Sequence, residues 1–263
     1  MAMARNGIAQ RGNFIRSASR LIETARLAST IILPYGCAGC GSGLMEPGLC
    51  PPCLAQLVRI TAPCCARCSH PFVFNPGAPA SSLLCGACLS APPAFDHAVA
   101  ALVYNDASRQ MIVRLKHQDR LELAIVLARL MLPSAMPLLE RADFIIPLPL
   151  HRWRFFLRRS NQSAELARAL IRLAGLPSSR LQPAALIRHR NTARQAGLNR
   201  QQRQRNMRNA FHVPEAARTL VRDSRILLID DVLTTGATLS SASRCLQRAG
   251  AAEVMVAVVA RVC

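Results

Sequence analysis

Between residues 226 and 239 four apolar residues, Ile226-Leu227-Leu228-Ile229, run straight into two carboxylates, Asp230 and Asp231. A loop follows, Val232-Leu233-Thr234-Thr235-Gly236-Ala237-Thr238, and then a stretch of helical character to Ala249. Four consecutive apolar residues fit a strand buried on both faces, as in a parallel sheet covered by helices. Gly250 stands where a helix C′ glycine belongs. The turn from such a strand into a helix presents free N–H groups and the positive end of a dipole, equivalent to about half an elementary charge. Phosphate binds in such places. Gly236 can take positive φ and let the backbone approach a ligand, while Thr234, Thr235 and Thr238 add hydroxyl donors. The fold class that follows is α/β.

The acid pair narrows the ligand. Two carboxylates at a strand's C-terminal end accept hydrogen bonds from a diol and repel a second phosphate at the same spot. A ligand with one terminal phosphate and a ribose diol fits better than a polyphosphate lying along the loop. An ordinary strand–turn–helix unit with solvated acids is the plain alternative, but here the apolar run, the acids and the loop occur together and in order. The stretch resembles the 5-phosphoribosyl-1-pyrophosphate (PRPP) signature of the type I phosphoribosyltransferases. The resemblance implies a parallel sheet flanked by helices, with Asp230 and Asp231 on the ribose 2′ and 3′ hydroxyls and residues 232–238 forming the loop that anchors the 5′-phosphate.

Eleven cysteines are present, and nine of them fall between Cys37 and Cys88. An odd number, with no secretory signal to be read, favours metal over disulfides. Four Cys-x-x-Cys pairs occur in tandem: Cys37/Cys40, Cys50/Cys53, Cys65/Cys68 and Cys85/Cys88. Each such knuckle puts two thiolates on one metal, and two knuckles complete a tetrahedral Zn²⁺ site. The spacing favours one zinc for the first two pairs and one for the last two, and leaves a crossed pairing open. Eight thiolates close two structural sites and leave no open metal position for catalysis. Cys64 is the spare, and His70 reads as a loop histidine. Glycine and proline crowd the segment, so its folding depends on the metal, which supplies roughly 10–16 kcal/mol at neutral pH.

The formal charge is +19, with one lysine, Lys116, among thirty-two arginines. Eight thiolates on two Zn²⁺ would lower it to about +15. Such a chain suits anionic partners, pyrophosphate as well as nucleic acid. The sequence has no apolar run of about 20 residues, so no membrane span is expected. Without a secretory signal, the expected location is the cytoplasm.

Residues 98–104 read as a strand, and Asn105-Asp106 can cap a helix from about 107 to 117. A second helix covers about 120–132. Lys116, in the last turn of the first of these helices, either touches an anion or complements the dipole. Residues 143–150 read as a buried strand running into Leu148-Pro149-Leu150-His151-Arg152 and on through Trp153 to Arg159. A helix to about 174 follows, so this strand, basic loop and helix N-terminus make a second anion site. Trp153 with Phe155 and Phe156 reads as packing rather than base stacking. Between candidate strands at 184–187 and 211–213, residues 188–208 carry seven arginines and no acid. Such a segment repels itself and is expected to be mobile, a lid over pyrophosphate, a solvated face or a DNA contact. Residues 254–259 read as the next parallel strand of a βαβ unit.

Taken in order, the chain resembles the ComF/GntX group: a double zinc ribbon ahead of a type I phosphoribosyltransferase-like domain. The likeness is carried by the four knuckles, Leu115-Lys116, residues 146–151, Asn161-Gln162, Thr192 with Gln195-Ala196-Gly197-Leu198, and residues 230–238. Two motifs depart from the group's usual form, Arg158-Arg159-Ser160-Asn161-Gln162 and Thr192-Ala193-Arg194-Gln195. Residues 1–33 read as a helical extension, and the resemblance, which covers about 33–260, implies a double zinc ribbon at 34–92 and a phosphoribosyltransferase-like domain at 93–263, with 188–209 as a mobile basic loop. It implies Mg²⁺ with PRPP, pyrophosphate held by residues 148–152, and a lid that includes Arg194, Gln195 and Arg200. The function implied is transfer of ribose 5-phosphate to an unidentified nitrogen acceptor, linked to DNA uptake in competence or to use of external DNA. The alternative is a non-catalytic adaptor that senses a nucleotide and binds single-stranded DNA or a helicase-like partner.

Overall fold

The computed structural model describes residues 35–74, 77, 79, 82–117, 121–150, 161–188 and 210–263. The expected N-terminal helix, Trp153 and most of the basic stretches lie outside the described residues. The chain divides into two compact units, residues 1–51 and 52–263.

In the first unit β1 (Tyr35–Gly36) pairs antiparallel with β2 (Gly43–Leu44). The turn between them is a tight knuckle, in which Gly41 N–H donates to the Cys37 carbonyl at 2.9 Å and Cys37 N–H to the Ser42 carbonyl at 2.7 Å. Gly41 has φ +86°, the left-handed conformation that glycine adopts without steric cost. The short helix α1 (Pro51–Ala55) carries the chain past the boundary.

The second unit holds α2 (Gly86–Ser90), β3 (His97–Val103), α3 (Asp106–His117), α4 (Leu121–Arg141) and β4 (Phe144–Pro147). Next come α5 (Gln162–Leu173), β5 (Ile187–Arg188), β6 (Phe211–His212) and α6 (Glu215–Val221). Last are β7 (Arg225–Leu233), α7 (Ala237–Arg248) and β8 (Glu253–Arg261). Four strands form a parallel sheet in the order β3-β8-β7-β4, so the strand that bears the acids lies inside the sheet. Ile226 to Ile229 are 0% exposed. Their side chains alternate between the faces. Ile226 and Leu228 join Leu239, Ala242 and Leu246 of α7 in one core cluster. Leu227 and Ile229 point to the other face, where α5 packs on β7 and β4, and α4 packs on β3 and β8.

Three expectations change. β7 does not end at the acid pair. It continues through both acids to Leu233, because β8 keeps pairing with it as far as Val232↔Ala260 and Leu233↔Arg261. The strand expected at 184–187 is instead the two-residue β5, which pairs antiparallel with β6, and the expected 211–213 strand is Phe211–His212. The helix expected to stop near 132 runs to Arg141 with Pro133 and Pro137 inside it. Two prolines four apart lie on one side of a helix, and the apolar face that carries Leu127, Met131, Ala135 and Leu139 stays in the core at 0% exposure. Among the described residues, the segment Glu122–Arg141 is long and apolar enough to cross a membrane. Here it is a core helix, packed on the sheet and on α5.

Candidate functional site

The C-terminal ends of β4 and β7, the start of α5 and the loop into α7 enclose one cleft. Asp230 and Asp231 stand on its floor, half-buried. One wall is Leu148, Pro149 and Leu150, and the other is Leu233, Thr234, Gly236 and Thr238. Open α/β sheets bind ligands at this end of their strands. The wall after β4 is held by two bonds. Leu148 N–H donates to the Ile229 carbonyl at 2.9 Å, and Asn161 Nδ2 donates to the Leu148 carbonyl at 3.2 Å. The same Asn161 caps α5, its Oδ1 accepting from Ser163 N–H at 3.1 Å. On the other wall Gly236 caps α7 with φ +74°. A side chain there would meet only ordinary contacts, with Leu233 Cδ1 at 3.5 Å, so the demand for glycine comes from the backbone angle.

The two acids are treated differently. Lys116 Nζ, from the last turn of α3, lies 2.7 Å from Asp231 Oδ2, and the Asp231 side chain is 13% exposed. Ser163 Oγ, from the first turn of α5, donates to Asp230 Oδ1 at 3.0 Å. Burial, and then the neighbouring charge of Asp231, push the Asp230 carboxyl up to about 7. A backbone bond, Lys116 and the Ser163 hydroxyl act against that rise. Asp230 therefore titrates near neutrality, a setting common at functional sites. Arg188 completes the cleft. It was expected to belong to a mobile segment, but it is 7% exposed, and its guanidinium carbon sits 5.7 Å from the centre of the Phe211 ring.

Of the residues expected at the site, Asp230, Asp231, Val232, Leu233, Thr234, Gly236, Ala237, Thr238 and Leu148, Pro149 and Leu150 line this cleft. Thr235 lines a neighbouring cavity instead. His151, Arg152, Arg194, Gln195 and Arg200 lie outside the described residues. Ser163 was not singled out as a ligand contact by the sequence, although its place after Asn161-Gln162 at a helix start was the available signal. Lys116 was weighed as an anion contact or a dipole partner. The structure pairs it with an acid.

The cysteines form two tetrads, Cys37, Cys40, Cys50 and Cys53, and Cys65, Cys68, Cys85 and Cys88, each with all sulfurs within 4.8 Å of one another. Four sulfurs at about 2.3 Å from one Zn²⁺ stand roughly 3.8 Å apart. The observed separations are 3.6 Å for Cys37–Cys50, 3.7 Å for Cys40–Cys50 and 3.6 Å for Cys68–Cys85. A disulfide needs about 2.05 Å, so the donor set and spacing fit zinc. Backbone N–H groups aim at sulfur in both, Cys50 N to Cys37 Sγ at 3.2 Å and Cys85 N to Cys65 Sγ at 3.3 Å. Burial opposes the charge on Cys37 and Cys65, but three backbone N–H bonds to each and a neighbouring thiol together outweigh it and bring the thiols down to about 6 and about 7. Cys64 and His70 belong to neither tetrad.

Comparison with known proteins agrees with this arrangement. Residues 28–89 match a double zinc ribbon domain and residues 163–262 a phosphoribosyl transferase domain. The DNA utilization protein YhgH of Salmonella typhimurium is 33% identical over 214 residues, which is 80% of this chain and 88% of that protein. The chain belongs to the YhgH and competence protein F (ComF) family. Competence protein F of Haemophilus influenzae is 29% identical over 229 residues, covering 84% of this chain and 95% of its own. Among solved structures, a glutamine PRPP amidotransferase from B. subtilis overlaps 56% of this chain and 30% of its own at 19% identity, with a TM-score of 0.37. In this family member the zinc ribbon cysteines are the two tetrads, and the phosphoribosyltransferase-type domain carries the Asp230 cleft.

Proposed function

We propose that the cleft binds PRPP and that the protein transfers ribose 5-phosphate to a nitrogen acceptor, releasing pyrophosphate. The observation that carries this reading is one cleft with two adjacent carboxylates on its floor and a glycine-capped helix N-terminus on its wall. Ionised Asp230 and Asp231 accept hydrogen bonds from the ribose hydroxyls. Ser163 occupies one oxygen of Asp230 and leaves the other for the sugar. The N–H groups and hydroxyls of residues 234–238 hold the 5′-phosphate. In the reaction a nitrogen lone pair forms a bond to ribose C1, and the C1–oxygen bond breaks with its electrons leaving on pyrophosphate. Positive charge develops on the ring as that bond opens, and the two carboxylates stabilise it. Mg²⁺ suits a site with two hard carboxylate oxygens, and when bound it neutralises the pyrophosphate. Lys116 tempers the negative charge of Asp231 in the meantime. The eight thiolates hold two structural zinc ions and take no part in the chemistry. His151, Arg152, Arg194, Gln195 and Arg200 are assigned to pyrophosphate and its cover. The cytoplasm, where thiols stay reduced, is the assigned location.

The test is release of pyrophosphate from PRPP across a panel of heterocyclic bases and amines. The proposal expects one acceptor class to support release, and Asp230→Asn with Asp231→Asn to lower it by a hundredfold or more. The relatives' names, DNA utilization and competence proteins, favour a second reading. In it the fold senses a ribose phosphate and binds single-stranded DNA or a DNA-uptake helicase. PRPP binding with no release from any acceptor, together with steeply salt-dependent DNA binding, would select it.

A further inference from the structure

A second cavity shares Leu233, Thr234, Gly236 and Ala237 with the Asp230 cleft, so the two flank the same loop. Arg261, at the end of β8 beside Leu233, lines it. This side chain is 9% exposed, and its Nε has no hydrogen-bond partner among the described residues. A buried guanidinium N–H without an acceptor is costly, and native interiors leave few of them. Arg244 lines the cavity too. Ala237, Ser240 and Arg244 share one face of α7, so the positive end of the helix and a guanidinium open onto the same space. The apolar part of the wall includes Ala91, Pro92, Pro93 and Phe95.

We propose that this cavity is a second oxyanion site. It takes the phosphoryl or carboxylate group of a small organic anion, whose apolar part rests on Pro92 and Pro93. Cys68 and Cys88 stand behind the cavity. When zinc fills their tetrad they carry a formal charge of about −2. That charge offsets part of Arg261's. It also disfavours a polyphosphate, which leaves a singly terminated anion as the occupant. Such an anion comes either from the acceptor substrate or from a separate effector. The site rests on Arg261 and Arg244 and does not require the PRPP reading.

Equilibrium dialysis of radiolabelled orthophosphate against the full zinc-loaded chain tests it. Two phosphate sites per chain are expected. Arg261→Met and, separately, Arg244→Met each weaken one site tenfold or more, while zinc content and PRPP affinity stay within threefold of wild type. Thr238→Val weakens the other site. Arg244 is exposed on α7, so its variant keeps the test decisive where Arg261→Met fails to fold. A single phosphate site in the wild type, or both arginine variants titrating as wild type, overturns the proposal. Phosphate competes with PRPP at the Thr238 site in every variant; a further loss of PRPP affinity that Arg261→Met removes marks an effector site, and no further loss marks a substrate's. Two phosphate sites in a protein that does not bind PRPP would sink the function proposed above and leave this one standing.

Discussion

Asp230 is where residue chemistry decides the behaviour of the cleft. Its carboxyl is pushed up to about 7 by burial first and the charge of Asp231 second. A carboxyl raised in this way contributes stability that is present below its unfolded value of about 3.9 and is lost as pH rises through its folded value. The unliganded protein is therefore expected to lose thermal stability between about pH 4 and 7. Asp230→Asn should flatten that slope and raise the melting temperature above pH 7, as calorimetry at stepped pH would record. Ligand binding runs the other way. The diol needs the ionised acid, so PRPP affinity should rise with pH through about 7. Lys116 and Ser163 both oppose the rise in the Asp230 carboxyl. Lys116→Met and Ser163→Ala should therefore each move the midpoint of that profile to higher pH. A midpoint that does not move in either variant would mean that Asp230 does not set it. The acids were legible in the sequence from their place after an apolar run. Their unequal partners were not, because Lys116 and Ser163 arrive from helices far away in the chain.

Among the elements, β7 and the start of α7 carry the site. β7 was legible as a buried strand in its four apolar residues. Its extension past the acids was not, because pairing with β8 out to Arg261 draws Val232 and Leu233, read as loop, into the sheet. Helix α4 shows the opposite failure. The helix was expected only to about 132, but tertiary packing of Leu138 and Leu139 carries it on past Pro133. Gly236 was legible, and the reason is its left-handed backbone. Gly236→Ala should cost about 1–2 kcal/mol of stability and weaken ligand binding by at least tenfold, with denaturant unfolding and ligand titration as the two measurements. Leu228→Ala, at a 0% exposed site between β8 and β4, should cost about 2–5 kcal/mol without touching the cleft. Equal costs for Gly236→Ala and a nearby surface substitution would remove the backbone argument.

At the scale of the whole molecule, a charge of +19 and a cysteine-rich segment first suggested nucleic acid and metal. The metal reading was legible because Cys-x-x-Cys spacing is itself a geometric statement. The favoured pairing of knuckles is the one the structure shows. Cys65, Cys68, Cys85 and Cys88 belong to the same core cluster as Phe95 and Leu239, so their zinc supports the loop beside the cleft. Cys68→Ser should leave one zinc per chain instead of two and lower the melting temperature of the α/β unit, read by elemental analysis and near-ultraviolet circular dichroism. The identity of the acceptor was not legible, since no residue pattern marks it and the side chains that would touch it are gathered by the fold. The proposed donor site can be tested directly. Isothermal titration of PRPP with Mg²⁺ into the zinc-loaded chain should show one site per chain. The Asp230→Asn, Asp231→Asn double variant, folded and with its zinc retained, should show a hundredfold or greater loss of affinity. A wild type that binds no PRPP, or a double variant that binds it equally well, would contradict the assignment of this cleft.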